Sequence, residues 1–314
     1  MNIGSQNKTL LVIAGPTAIG KTAFAIELAK RYHTEIVSAD SRQFYREMAI
    51  GTAKPNPSEL AEAKHHFINS HSIFDTFTAG DYEKEALALL DHLFTKHNLV
   101  ILVGGSGLFI KAVCEGFDEF PEIEPAIRNK LNQDFETNGL ASLQERLKEA
   151  DPSYFDVVDI SNPQRVIRAL EVIESTGIPY SSFRNANVKE RPFNILKLGL
   201  NLPREQLYQR INQRVDNMMA EGLLDEVKQL LPYQHLNPLN TVGYTELFDF
   251  LNGKQTLEEA ISLIKQNTRR FAKRQLTWFR KDQEIVWLNA ENPMIDFESW
   301  LNTQPFKIKD LLIN

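Results

Sequence analysis

Apolar residues fall in two different patterns along this chain. Unbroken runs occur at Leu10-Leu11-Val12-Ile13-Ala14, within Glu35-Ile36-Val37-Ser38-Ala39, and at Leu99-Val100-Ile101-Leu102-Val103. Such runs, without polar alternation, predict strands buried on both faces over 9–14, 35–39 and 99–103. Helices are expected over 21–32, 57–64 and 81–97, between and after these strands. Strands separated by helices indicate a parallel sheet covered on both sides. Two later segments, 194–200 and 284–288, carry further strand signals and are expected to complete the same sheet.

The stretch 119–190 breaks this order. Pro121 and Pro125 open it, and Ile127, Leu131, Phe135, Leu140, Leu143 and Leu147 follow at helical spacings. Asp151-Pro152 and Asn162-Pro163 punctuate further short helices. An all-helical insertion over 119–190 is therefore expected in a core made of 1–118 and 191–314. Beyond it, 204–231 reads as helical and amphipathic, with Arg204, Arg210 and Arg214 among Leu207, Ile211, Val215, Met218 and Met219. A second long helix is expected over 256–281. Its last part, Lys265 to Lys281, holds seven basic residues and no acidic one. Arg269, Lys273 and Arg280 form one column, Arg270, Arg274 and Lys281 its neighbour, with Phe271, Trp278 and Phe279 to the side. A solvated basic face over an aromatic core contact is the plain explanation. With no acidic partners at helical spacing, however, the stripe repels itself, and a polyanion such as RNA supplies the reason to keep it.

The chemistry starts at the end of the first strand. Residues 15–22 read Gly15-Pro16-Thr17-Ala18-Ile19-Gly20-Lys21-Thr22, a complete G-x-x-x-x-G-K-[ST] loop between a buried strand and a helix. Backbone N–H groups, the helix dipole and Lys21 make that turn an anion cradle, and Thr22 can hold Mg²⁺. The loop is expected to bind a di- or triphosphate, ATP included, on a P-loop NTPase-like parallel sheet. Asp40 ends the second strand, and ligands of open parallel sheets bind beyond the carboxyl ends of the strands. It is expected in the same crevice, either holding the water shell of Mg²⁺ or acting as a general base. A turn or N-cap aspartate is the structural alternative. The third strand ends in Gly104-Gly105-Ser106-Gly107, where a hydrolysing ATPase usually places an aspartate. No Asn-Lys-x-Asp guanine-reading motif occurs either, which argues against a GTPase or motor. His65-His66 has no partner at metal spacing and reads as structural; Cys114 reads as packed.

Composition narrows the picture further. The chain has 314 residues, with 42% hydrophobic and 24% charged, as in an ordinary globular protein. A single cysteine excludes an intramolecular disulfide and a multi-cysteine zinc site, and fits a reducing cytoplasm. The first eight residues lack the layout of a signal peptide, and no apolar run approaches the ~18 residues of a membrane span. The net charge of −6 argues against non-specific nucleic-acid binding, so the basic stripe matters for being local.

Taken together, these stretches resemble the tRNA dimethylallyltransferase (isopentenyl-transferring) family over nearly the whole chain. The resemblance rests on Gly15 to Thr22, Asp40-Ser41 through Gln43 and Tyr45, Gly51-Thr52-Ala53-Lys54-Pro55, and His65-His66. It extends to Gly104 to Leu108, Asn162 to Glu171, Val242-Gly243-Tyr244 and Thr268 to Gln275. Gly51–Pro55 and Ala272–Gln275 are the most specific, because general phosphate-loop proteins lack them. Ile19, Ser106 and Phe109 stand where the family more often has Ser, Thr and Tyr.

The resemblance implies transfer of a dimethylallyl group from its diphosphate to the N6 amine of the adenosine 3′ to the anticodon (position 37), in tRNAs reading codons that start with U. Mg²⁺ would be the cofactor, and the chain a cytoplasmic monomer. Asp40 would take the amine proton, Thr17 would bond the departing oxygen, and Arg214 or Arg210 would stabilise the diphosphate. Family tRNA-contacting positions match Asp40, Ser41, Arg42, Gln43, Ser106, Arg128 and Gln164-Arg165-Val166-Ile167-Arg168. Arg270, Lys273 and Arg274 would add phosphate contacts, and the insertion would embrace the anticodon loop. A small-molecule kinase with ATP as donor, and a nucleotide-gated RNA-binding protein, are the rival readings.

Overall fold

A computed structural model describes residues 8–118, 120, 123–184 and 189–304; Pro121 and the first seven residues lie outside them. Six parallel strands form one sheet: β1 (Thr9–Ala14), β2 (Ile36–Ser38), β3 (His65–His66), β4 (Leu99–Gly104), β5 (Asn194–Asn201) and β6 (Val286–Asn289), in the order β3-β2-β4-β1-β5-β6. All of β1 and β4 is buried, as unalternating apolar runs require. Successive β1 side chains feed two cores. Leu10 and Val12 pack on one face of the sheet, Leu11 and Ile13 on the other.

Helices cover both faces. α1 (Lys21–Tyr32), α2 (Pro57–Glu62), α3 (Ala79–Leu93) and α4 (Gly107–Glu115) come from the first half of the chain. The helical segment, which packs into a core of its own, holds α5 (Pro125–Ala150, interrupted at Gly139), α6 (Pro152–Phe155) and α7 (Pro163–Thr176). The last part adds α8 (Arg204–Ala220), α9 (Leu223–Leu230), α10 (Tyr244–Leu251), α11 (Leu257–Phe279) and α12 (Pro293–Thr303). The Leu11 face is packed by Phe24 and Leu28 of α1, Leu207 and Ile211 of α8, and Phe297 of α12. The Leu10 face is packed by Tyr82, Phe109, Val227, Leu247 and Ile264, from α3, α4, α9, α10 and α11.

The chain divides into two compact units, one formed by 1–115 with 190–314 and one by 116–189; the sequence reading placed the breaks at 118 and 191. The second unit has its own core of Leu131, Leu143, Leu147, Val166, Ile167 and Leu170.

Four local expectations need correction. The helix expected over 57–64 stops at Glu62, because His65 and His66 pair with Ile36 and Val37 as an edge strand. The helix expected over 81–97 runs 79–93, started by Thr78, whose hydroxyl accepts the Asp81 N–H. Segment 204–231 is two helices, since Gly222 takes a positive φ of 102°. Finally, α4 has no counterpart in the sequence reading. Phe109, Ile110, Ala112, Val113 and Cys114 are all buried, so the segment shows little polar periodicity to betray a helix.

Candidate active site

The strand order puts the carboxyl ends of β2, β4 and β1 side by side, so three loops converge. After β1, the 15–22 loop takes positive φ at Gly15 (151°), Ala18 (62°) and Gly20 (105°), the alternation that turns successive N–H groups inward. Lys21 opens α1, and its ammonium donates to the Pro16 carbonyl at 2.7 Å. Helix α8 closes the loop from the side. Arg210 donates to the Ile19 carbonyl at 3.2 Å, and Arg214 donates to the Thr17 hydroxyl at 3.4 Å.

After β2, Asp40 holds its own turn: one carboxylate oxygen, Oδ1, accepts the N–H groups of Arg42 at 2.9 Å and Gln43 at 3.3 Å. That is the turn role of such a residue. The second oxygen, Oδ2, has no hydrogen bond among the described residues, so the turn does not use up the carboxylate. Ser106 Oγ accepts the Ser41 N–H at 3.0 Å and ties this turn to the loop after β4.

After β4, glycine is forced by close packing. A Cβ on Gly104 would sit 2.1 Å from the Ala39 carbonyl oxygen, and one on Gly105 would sit 2.4 Å from the Gln275 amide nitrogen. No aspartate fits where a hydrolase would place one. Gln275, from α11, occupies that space instead. It accepts the Thr17 N–H and donates to the Gly105 carbonyl, both at 2.9 Å, clamping the phosphate loop to the end of β4. In the sequence Gln275 is one residue of the Thr268–Gln275 family stretch, and nothing local marks it as a clamp.

Two cavities meet here. One, of about 530 Å³, is lined by the 17–23 loop, Asp40, Gln43, Glu59, His65, Arg210 and Arg214. The other, of about 210 Å³, is lined by Asp40, Ser41, Arg42 and Ser106 and by the apolar Ile211, Val215, Met218, Leu223, Val242 and Ile264. Thr17, Asp40, Thr52, Arg214, Phe271 and Gln275 border both.

The first cavity is built for an anion. Burial pulls the Lys21 ammonium down to about 7; Asp40 opposes that shift and the neighbouring guanidinium of Arg214 reinforces it. Burial also lowers Arg214, against the pull of Asp40, and Arg42 likewise. Desolvated cations held together favour a bound negative charge that restores them. Thr22 faces the same cavity, and its hydroxyl has no partner among the described residues.

Loop 49–55, which lines both cavities, hangs from a residue the sequence reading missed. The Glu226 carboxylate of α9 accepts the N–H groups of Ala49, Ile50 and Gly51 at 3.1, 2.8 and 3.1 Å, and the Tyr244 hydroxyl at 2.6 Å. A Cβ on Gly51 would meet the Tyr244 ring at 2.4 Å. Gln43 grips the same loop by donating to the Thr52 and Ala53 carbonyls at 3.3 and 3.2 Å.

In the helical unit, Arg128 pairs with the buried Glu171 at 2.6 Å and donates to Gln164 at 2.8 Å, while Arg168 also pairs with Glu171. Gln164 and Arg165 are exposed. Val166 and Ile167 correct the sequence reading: both are 0% exposed, facing that unit's core, and their side chains cannot reach a ligand at its surface. On α11, Arg270, Lys273 and Arg274 are exposed. Two other cations of the stripe are committed within the fold. Lys265 pairs with Asp216 at 2.6 Å, and Arg269 donates to Asn212 at 2.7 Å. Of the paired histidines, His65 Nδ1 lies 2.8 Å from the Ala63 carbonyl, and His66 Nε2 lies 2.6 Å from Glu35. Phe109 packs against Phe44 and Tyr82 in the core.

The model of the IPP transferase family matches residues 43–282. A tRNA dimethylallyltransferase of Christiangramia forsetii is 54% identical over 298 residues, 94% of this chain and 99% of that protein. The tRNA dimethylallyltransferase 1 of Bacteroides thetaiotaomicron is 50% identical over 283 residues, 90% of this chain and 92% of that one. Among solved structures, the full-length tRNA isopentenylpyrophosphate transferase of Bacillus halodurans matches with a TM-score of 0.71 at 35% identity, over 97% of this chain and 98% of that one. A eukaryotic dimethylallyltransferase acting on tRNA matches with a TM-score of 0.80 at 26% identity, over 95% and 80%. By sequence over most of its length, and by fold, the chain belongs to the IPP transferase family.

Proposed function

We propose that this chain transfers a dimethylallyl group from dimethylallyl diphosphate to the N6 amine of the adenosine at position 37 of tRNAs reading codons that start with U, releasing diphosphate. The observation that carries the reading is the shared wall: Asp40, Thr17 and Arg214 stand between a cationic cavity and a largely apolar one. The diphosphate occupies the first cavity and the prenyl carbons enter the second.

As the allylic C–O bond breaks, its electron pair passes to the diphosphate, and the loop amides, Lys21, Arg210 and Arg214 stabilise that charge. Thr17 Oγ1 bonds the departing oxygen. The adenine amine is a poor nucleophile that becomes acidic only as its new bond to the allylic carbon forms. Its proton then passes to Asp40 Oδ2, a carboxylate oxygen that the turn leaves free.

Among the described residues no cluster of three or more His, Cys, Asp or Glu side chains could hold a metal ion. That suits Mg²⁺, which keeps several waters and binds through substrate phosphates. The Thr22 hydroxyl would hold it, and when bound it would supply further neutralisation of the departing diphosphate. The exposed cations Arg270, Lys273 and Arg274 of α11 are assigned to tRNA phosphates, and Arg128, Gln164, Arg165 and Arg168 of the helical unit to the anticodon loop. No helix among the described residues is long and apolar enough to cross a membrane, and we assign the enzyme to the cytoplasm as a monomer.

The test mixes the protein and Mg²⁺ with unmodified tRNA and either labelled dimethylallyl diphosphate or γ-labelled ATP. Prenyl label on the adenosine 3′ to the anticodon supports the proposal. ATP consumption with unlabelled tRNA would assign the loop to a kinase instead.

A further inference from the structure

Resting on that reading, we infer that Trp278 is a stacking platform for an unpaired anticodon-loop base close to the target adenosine. The indole is 42% exposed on α11, against Gly107 at the start of α4 and two turns beyond Phe271 at 40%. Seven helical residues advance about 10 Å and return to nearly the same side, so Phe271 and Trp278 share a face. Phe271 borders both cavities. A base held outward from the pocket mouth by one such step is a neighbour of the base inside it.

Two features separate this tryptophan from a stray apolar surface residue. Its seat is built. A Cβ on Gly107 would lie 2.2 Å from the indole Nε1 and 2.3 Å from Cδ1, so glycine at the start of α4 is what lets the ring lie down there. A ring fixed in this way loses little freedom on binding.

Its surroundings are cationic. Arg270, Lys273, Arg274, Arg280 and Lys281 are exposed, and none forms an ion pair among the described residues. Arg274 lies with its guanidinium carbon 5.7 Å from the Phe271 ring centre, between the two aromatics in sequence. Aromatic rings interleaved with unpaired cations match single-stranded nucleic acid, whose bases stack while its phosphates are neutralised. An apolar protein partner would meet five uncompensated charges. Withdrawing the target adenine from the loop also costs its neighbour a stacking contact, and Trp278 replaces that contact.

The experiment measures binding of a fluorescent anticodon stem-loop RNA to wild type, Trp278→Ala, Trp278→Phe and Gly107→Ala over a range of salt concentrations. Trp278→Ala weakens binding by about 5- to 100-fold with no change in salt slope. Trp278→Phe recovers most of that loss, and Gly107→Ala, which unseats the ring without removing it, shows a smaller loss. Lys273→Ala instead lowers the salt slope by about one. A second series replaces each loop nucleotide in turn by an abasic one. At the position that stacks on Trp278, wild type loses affinity and Trp278→Ala loses nothing further.

Wild-type affinity in a folded Trp278→Ala protein, or an equal loss against every abasic RNA, overturns the assignment. If wild type transfers prenyl groups to tRNA while Trp278→Ala binds RNA normally, the platform alone fails. If wild type neither binds nor modifies RNA, the function proposed above fails with it.

Discussion

The two cavities that meet at Asp40 are made by opposite means. The larger one owes its chemistry to neighbours in sequence: residues 15–22 supply the amides, the ammonium and the hydroxyl, and α8 adds two arginines. The smaller one takes single side chains from many elements: Val215 and Met218 of α8, Leu223 of α9, Val242 before α10 and Ile264 of α11. The proposed phosphate site is thus mostly one short backbone conformation, whereas the apolar space exists only once four segments have packed. The first can be altered without touching the second, and that independence is open to test.

Among the changes that separate the two cavities, removing the ammonium gives the largest effect. Lys21→Ala is expected to lower transfer by about 10²–10³-fold, the scale for losing one preorganised donor to developing charge. Competition by inorganic diphosphate should weaken in parallel, and an unaltered inhibition constant would take Lys21 out of the phosphate site.

Filling the smaller cavity should separate the two. Val242→Phe is expected to raise KM for dimethylallyl diphosphate by about 10- to 100-fold, with inhibition by inorganic diphosphate unchanged. Equal weakening of both would mean that the cavities act as one.

Gln275→Ala breaks the clamp between the phosphate loop and β4. Two backbone groups lose their partners, so urea denaturation should show a loss of about 2–4 kcal/mol, together with a fall in turnover of roughly tenfold. Full stability with wild-type turnover would reduce Gln275 to a bystander.

The smallest effect is protonic. With Lys21 held near 7, much of it is neutral at pH 8 before ligand binds. A bound diphosphate raises it, so binding takes up a proton above pH 7 and affinity falls with rising pH. Calorimetry at pH 8 in two buffers of different ionisation enthalpy would detect uptake that disappears in Lys21→Ala. Equal uptake in the variant would mean the proton goes elsewhere.

The same contrast explains how far the sequence could be read. β1, β4 and α1 announce themselves because unbroken apolar runs and a phosphate loop are local signals. Asp40 could be placed from strand order alone, as ligands bind at strand ends. Gln275 and Glu226 could not, because their partners lie at least 170 and at least 18 residues away in the chain, and only packing shows what they hold. Val166 and Ile167 were assigned to tRNA contact as members of a family stretch, although helical periodicity turns them inward. Ala18 adopts a left-handed φ of 62°, a conformation that the residue type does not advertise.

Asp40 at the shared wall is the proposed proton acceptor, and Asp40→Asn removes that function with the least change of shape. The amide oxygen can still accept the Arg42 and Gln43 N–H groups, so the turn survives while the proton acceptor is lost. Single-turnover transfer from dimethylallyl diphosphate to an anticodon stem-loop, measured beside the dissociation constants of both substrates, separates chemistry from binding. Asp40→Asn is expected to lower the rate by about 10²–10⁴-fold, with both affinities within about threefold of wild type. A rate within about threefold of wild type would contradict that role.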